Sequence, residues 1–124
     1  MTSASARDPA LDSATLARLR QLDAFKPGII SKLVDSFTTN QSRFIDEVPD
    51  LAASGDFDSL RIRVHALKGA AASLGALPLA AVAHSMEHAV EGDQPAQALT
   101  VLPALRAEFQ LACAALVAWA AAPE

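Results

Sequence analysis

His65 lies within the stretch 56–76, DFDSLRIRVHALKGAAASLGA. Taken at about 100° per residue, this stretch forms one helix with one apolar stripe. The stripe is Leu60, Val64, Leu67, Ala71 and Leu74, in the i, i+4, i+7 rhythm of a buried helix face. His65 falls about 140° round from Leu60 by the same count. It shares the outer face with Arg61, Lys68, Gly69 and Ala72. The helix is therefore expected to bury its aliphatic side chains and present one imidazole to solvent. A cation and two very small residues stand beside that imidazole.

A neutral imidazole is a good nucleophile whose basicity lies near working pH. Lys68, one turn on, is placed to steer an anionic group in and to balance the charge of an attached phosphoryl group. Gly69 lowers helix stability by about 1 kcal/mol relative to Ala. Such a residue at an exposed helical site usually has a packing or access reason. Clearance is one: no side chain at i+4 shades the ring, so another protein's backbone can approach. Ala72 extends the clearing by a turn. The bland alternative is an ordinary surface histidine on a closely packed, Ala-rich helix.

The run His65-Ala66-Leu67-Lys68-Gly69, followed by Leu74-Gly75-Ala76, resembles the signature of histidine-containing phosphotransfer (HPt) domains. That pattern is His-x-Leu-Lys-Gly, a run of small residues, then Leu-Gly-Ala. The likeness is strong over the motif and looser over about residues 12–120. It implies that His65 is the phosphoryl carrier, with Lys68 and Gly69 in support. It also implies response-regulator receiver domains and a hybrid sensor kinase as partners. The chain would then need no cofactor of its own, because Mg²⁺ and the acidic pocket belong to the receiver. The receiver-facing patch would centre on His65, ringed by Arg61, Ile62, Lys68, Gly69, Ala72 and Ser73. Ile62 falls off the core stripe, and an exposed aliphatic beside a nucleophile suits a docking contact.

Glu87 has two possible uses. With His84 and His88 it completes the string H-x-x-E-H of inverted zinc peptidases. Two histidines at i, i+4 can bind zinc, yet no downstream acidic residue is clearly placed as a third ligand, and no metal site is expected. The helix carrying Glu87 should instead run antiparallel beside the central helix. Counting back through the turn at 75–78 sets Glu87 level with His65. A carboxylate accepting from the ring Nδ1–H would fix the tautomer and leave Nε2 as the nucleophile. Related HPt domains often have Gln or Glu at the corresponding place. The alternative is an ordinary solvated Glu.

Other chemistries lack their residues. The chain has no G-x-S-x-G, and no serine is singled out beside His65. Neither a Walker A string nor G-x-G-x-x-G is present, so no nucleotide site is expected.

The flanking elements are helical. Asp12 or Ser13 can cap a short first helix to about Leu22, with Leu16 and Leu19 inward and Leu11 and Phe25 packing at its ends. Pro27 opens a second helix whose stripe is Ile30, Leu33, Val34, Phe37, Phe44, Ile45, Val48 and Leu51. Gln41 interrupts that stripe, and Pro49 is expected to kink it. Ser54-Gly55 ends this helix, and Asp56 caps the central one. Gly75 stops the central helix, and Pro78 starts a fourth with Leu79, Val82, Ala83, Met86 and Val90 inward. Asp93 can cap a last helix whose core side is Ala96, Leu99, Leu102, Leu105, Phe109, Ala112, Leu116 and Trp119, kinked or delayed at Pro103. The expected fold is all-α: an antiparallel up-and-down four-helix bundle with a short additional N-terminal helix.

At 124 residues this is one domain, read as a flexible arm at 1–10 and a bundle at 11–122. The apolar fraction of 52% suffices for a core. No run of 18 apolar residues suggests a membrane span. The N-terminus has no signal-peptide core, although Met1 fits a free-standing protein. A single Cys113 excludes an intrachain disulfide and fits a reducing cytoplasm. A net charge of −4 argues against nucleic-acid binding. The expectation is a cytoplasmic, monomeric phosphocarrier, not an enzyme. The alternatives are a helical adaptor using the same face, or the dimerisation element of a sensor kinase. That element would need a second chain to complete its bundle.

Overall fold

The structure, a computed structural model, describes residues 9–92 and 94–122. Five helices follow one another: α1 (Ser13–Phe25), α2 (Ile29–Ser54), α3 (Phe57–Ser73), α4 (Leu77–Glu91) and α5 (Pro95–Ala121). Helices α2 to α5 form the bundle. Each packs on its neighbour in sequence, and α5 closes the ring against α2. Helix α1 lies against α2.

Local chemistry sets the boundaries around the central helix. Asp56 accepts from the Ser59 backbone N–H at 3.2 Å, satisfying one of the free amides at the start of α3. Gly55 ends α2 in the left-handed region at φ 74°. Gly75, at φ 79°, turns the chain from α3 into α4. A side chain at Gly75 would also collide with neighbours: its Cβ would lie 3.1 Å from the Thr15 Cβ and 3.3 Å from the Asp12 backbone. The same turn anchors α1, because the Asp12 backbone N–H donates to the Gly75 carbonyl at 2.7 Å. Asp12 then caps α1 by accepting from the Thr15 N–H at 3.1 Å.

The core is aliphatic. Leu60, Val64, Leu67, Ala71 and Leu74 of the α3 region are all buried, as the spacing predicts. From α2 come Ile30, Val34, Phe37, Phe44, Ile45 and Val48, with Leu33 and Leu51 partly buried. Helix α4 contributes Leu79, Ala83, Met86 and Val90, while Val82 is only half-buried. Each fully buried Leu or Val contributes about 1.5–3 kcal/mol. Arg63 pairs with Glu47 and lies 5.0 Å over the Phe44 ring, tying α3 to α2 on the side away from His65. Arg20 donates to the Trp119 carbonyl at 2.6 Å and stacks on that indole, holding α1 to the end of α5.

Four expectations need correction. Helix α2 begins at Ile29, not Pro27, because Gly28 at φ 89° interrupts the helical path just after the proline. Phe25 does not pack: α1 runs on to it, and the residue is 91% exposed. In α5 the inward residue of the first turns is Ala98, leaving Ala96 and Leu99 outside. The helix starts at Pro95 and continues through Pro103, so no delayed start occurs there. By length and composition α5 is also long and apolar enough to cross a membrane. Its inner face, from Ala98 to Trp119, is nonetheless a wall of the core. The Asp93 cap and the arm at residues 1–8 lie outside the described residues.

Candidate functional site

Helix α3 delivers His65 to the surface because its apolar stripe fixes the helix rotation. The His65 side chain is 69% exposed. Helix α4 lies alongside and brings up Glu87, whose side chain is 8% exposed. The His65 Nδ1 and Glu87 Oε2 are 2.6 Å apart. Lys68 Nζ donates to the other oxygen, Oε1, at 2.5 Å. One nearly buried carboxylate thus holds the imidazole with one oxygen and the ammonium with the other.

The electrostatics favour one tautomer. The Lys68 ammonium, and secondarily the bond from His65, hold the Glu87 carboxyl below its ordinary value of 4.5, against the burial that pushes it up. An ionised carboxylate only accepts hydrogen bonds. The proton in the His65–Glu87 bond therefore sits on Nδ1. In the neutral ring Nε2 then carries the free lone pair, on the exposed side chain. Geometry of this kind serves nucleophilic attack by Nε2, with the carboxylate ready to offset the charge the ring acquires.

The pair also makes stability depend on pH. A carboxyl whose folded-state pKa is depressed contributes stability above its unfolded value, and that stability is lost as pH falls through the folded value. The stability difference between the protein and Glu87→Gln should shrink as pH falls below about 4.5. Urea titrations on either side of that value check this. A difference unchanged down to pH 3 would mean the carboxylate gains nothing from its partners.

Lys68 faces inward more than spacing suggests. Its ammonium is bound to Glu87 and so is not a free anion-steering group on the outer face. Ile62 is 69% exposed, and Gly69, Ala72 and Ser73 are exposed on the same surface as His65. Arg61 is half-exposed and paired with Asp58 at 2.8 Å. A Cβ at Gly69 would meet nothing within 4 Å. Nothing among the described residues therefore requires glycine there, and Gly69→Ala should raise stability by up to about 1 kcal/mol. Thermal denaturation checks it, and a loss of stability would reveal a constraint the surroundings do not show.

Sequence reasoning missed two features. One is an apolar groove of about 250 Å³ between α1, α2 and α3, lined by Leu19, Leu33, Phe37 and Leu74, with Gln41 and Ser73 also bordering it. The only signal was Gln41 breaking the α2 stripe. The other is the approach of His84 to Glu87, its Nδ1 standing 3.9 Å from Oε1. His84 and His88 are exposed, and among the described residues no group of three or more His, Cys, Asp or Glu converges as a metal site.

Solved structures share the fold. A histidine-containing phosphotransfer protein from maize, ZmHP2, superposes with TM-score 0.79 at 23% identity, covering 90% of this chain and 83% of that one. Histidine-containing phosphotransfer protein B of Pseudomonas aeruginosa gives 0.77 at 21% identity, with coverage of 93% and 98%. A structure from rice described as a histidine-containing phosphotransfer protein gives 0.74 at 24%, with coverage of 90% and 84%. No curated protein sequence matches significantly. The Hpt domain family model matches residues 32–119, which contain His65, Lys68, Gly69 and Glu87, and the chain belongs to the Hpt domain family.

Proposed function

We propose that this chain is a phosphocarrier of a multistep phosphorelay, and that His65 is the residue that carries the phosphoryl group. The donor is an aspartyl phosphate on one receiver domain, such as that of a hybrid sensor kinase, and the acceptor is a second receiver. The Nε2 lone pair attacks phosphorus, the bond from phosphorus to the aspartyl oxygen breaks, and the aspartate leaves as carboxylate. Nδ1 keeps its proton, and Glu87 offsets the positive ring. The second receiver's aspartate reverses the step.

The decisive observation is an exposed imidazole held at Nδ1 by a nearly buried carboxylate. Glu87 positions the ring, and Lys68 keeps Glu87 ionised. Ile62, Ala72 and Ser73, with Arg61, form the docking face, and Gly69 gives the receiver backbone room to approach. Mg²⁺ is supplied in the receiver's acidic pocket, so the chain binds no cofactor. It works in the cytoplasm as a monomer, without nucleic-acid or membrane partners.

The test is incubation with receiver domains of the same organism, radiolabelled on aspartate. Acid-labile, alkali-stable label should move to this chain from at least one of them. Receivers that keep their label, or lose it only to water, contradict the role.

A further inference from the structure

Glu87 gathers three nitrogen bases, not two. Lys68 Nζ is 2.5 Å from Oε1 and His65 Nδ1 is 2.6 Å from Oε2. His84, one turn earlier on α4, has its Nδ1 3.9 Å from Oε1, on the Lys68 side of the carboxylate. That separation is too long for a hydrogen bond. The His84 side chain is 69% exposed and makes no hydrogen bond among the described residues, so its ring can rotate.

A phosphoryl group on His65 would bring about −1.5 to −2 of charge to this rim. Lys68, Glu87 and the positive ring of His65 together carry one net positive charge. Arg61, the other cation on this face, is already paired with Asp58 at 2.8 Å, which leaves up to about one negative charge unmatched. The groups around His84 narrow what can match it. Glu87 links His84 to His65 and Lys68 of α3, and α4 itself also carries His88 and Glu91. Helix α5 has only Arg106 and Glu108 as charged residues, and neither pairs with His84. His88 forms no ion pair with Glu87, and Glu91 has the wrong sign.

We infer that His84 is a second phosphoryl-binding residue: when His65 is phosphorylated, the His84 imidazole takes up a proton and turns onto the phosphoryl oxygens. This rests on the carrier role proposed above. The consequence is a phosphorylated form stabilised more below the His84 titration midpoint than above it.

Phosphoramidate can load the protein without a receiver: Nε2 attacks phosphorus, and the phosphorus–nitrogen bond to the leaving ammonia breaks. Proton NMR then follows the three histidine rings from pH 5.5 to 8.5, before and after loading. His84→Gln and His88→Gln serve to assign the signals. The His84 midpoint should rise by roughly half a unit to one unit on loading, as a nearby opposite charge requires. That of His88 should move much less. Equal movement of both, or none at His84, overturns the inference while leaving the carrier role intact. Phosphorus found on a residue other than His65 removes the carrier assignment and this inference together.

Discussion

His65→Gln is expected to abolish phosphoryl acceptance from every receiver, with no detectable label on the chain. Helical content should be unchanged, and stability should fall by no more than about 1.5 kcal/mol, the net range for one hydrogen bond, because Glu87 keeps its Lys68 partner. The reason is geometric. The side chain is 69% exposed, and its one hydrogen bond among the described residues is the Nδ1 contact with Glu87. Labelling assays and a urea curve on the same sample separate the two consequences. Residual label at even a tenth of the normal level would mean another residue accepts the group. A collapse of helicity would mean His65 supports the bundle.

The second large effect is expected at the Lys68–Glu87 pair. Lys68→Ala leaves an almost buried carboxylate hydrogen-bonded to the His65 imidazole alone among the described residues, with His84 beyond hydrogen-bond reach. Stability should fall by about 1–3 kcal/mol, the range for a stranded buried polar group. An exposed ion pair would contribute only 0–1 kcal/mol or so. Glu87→Ala should slow transfer on the order of tenfold, short of the 10²–10⁴ of a group that itself moves a proton. Because Lys68 reaches the ring only through Glu87, the two substitutions should not add. The doubly substituted protein should transfer about as slowly as Glu87→Ala alone. A double-mutant cycle on transfer rate and on urea midpoints measures this. Strict additivity would show that Lys68 acts on the phosphoryl group directly.

The α3 stripe was legible because every member of it is buried aliphatic, so a single periodicity fixed both the core and the outward direction of His65. Glu87 was legible because a tight turn at Gly75 leaves little freedom in the register of α3 against α4. Lys68 was not. A long, flexible side chain chooses its partner from whatever the next helix brings within reach, and spacing along one helix does not contain that. The start of α5 failed for a related reason. Its first turns are Ala, Leu and Val on several sides, so the pattern does not distinguish the face of Ala98 from that of Leu99. The exposed Phe25 reflects a helix that ran a turn beyond its last periodic leucine.

The central claim is that Glu87 holds the Nδ1 proton of His65 and so makes Nε2 the nucleophile. The most direct measurement is a long-range proton–nitrogen NMR spectrum of the ring in ¹⁵N-labelled protein, before and after phosphorylation. Before loading it should show the Nδ1–H tautomer of His65 near neutral pH, and after loading a phosphorus coupling to Nε2. Phosphorus coupled to Nδ1 of His65 would contradict the claim.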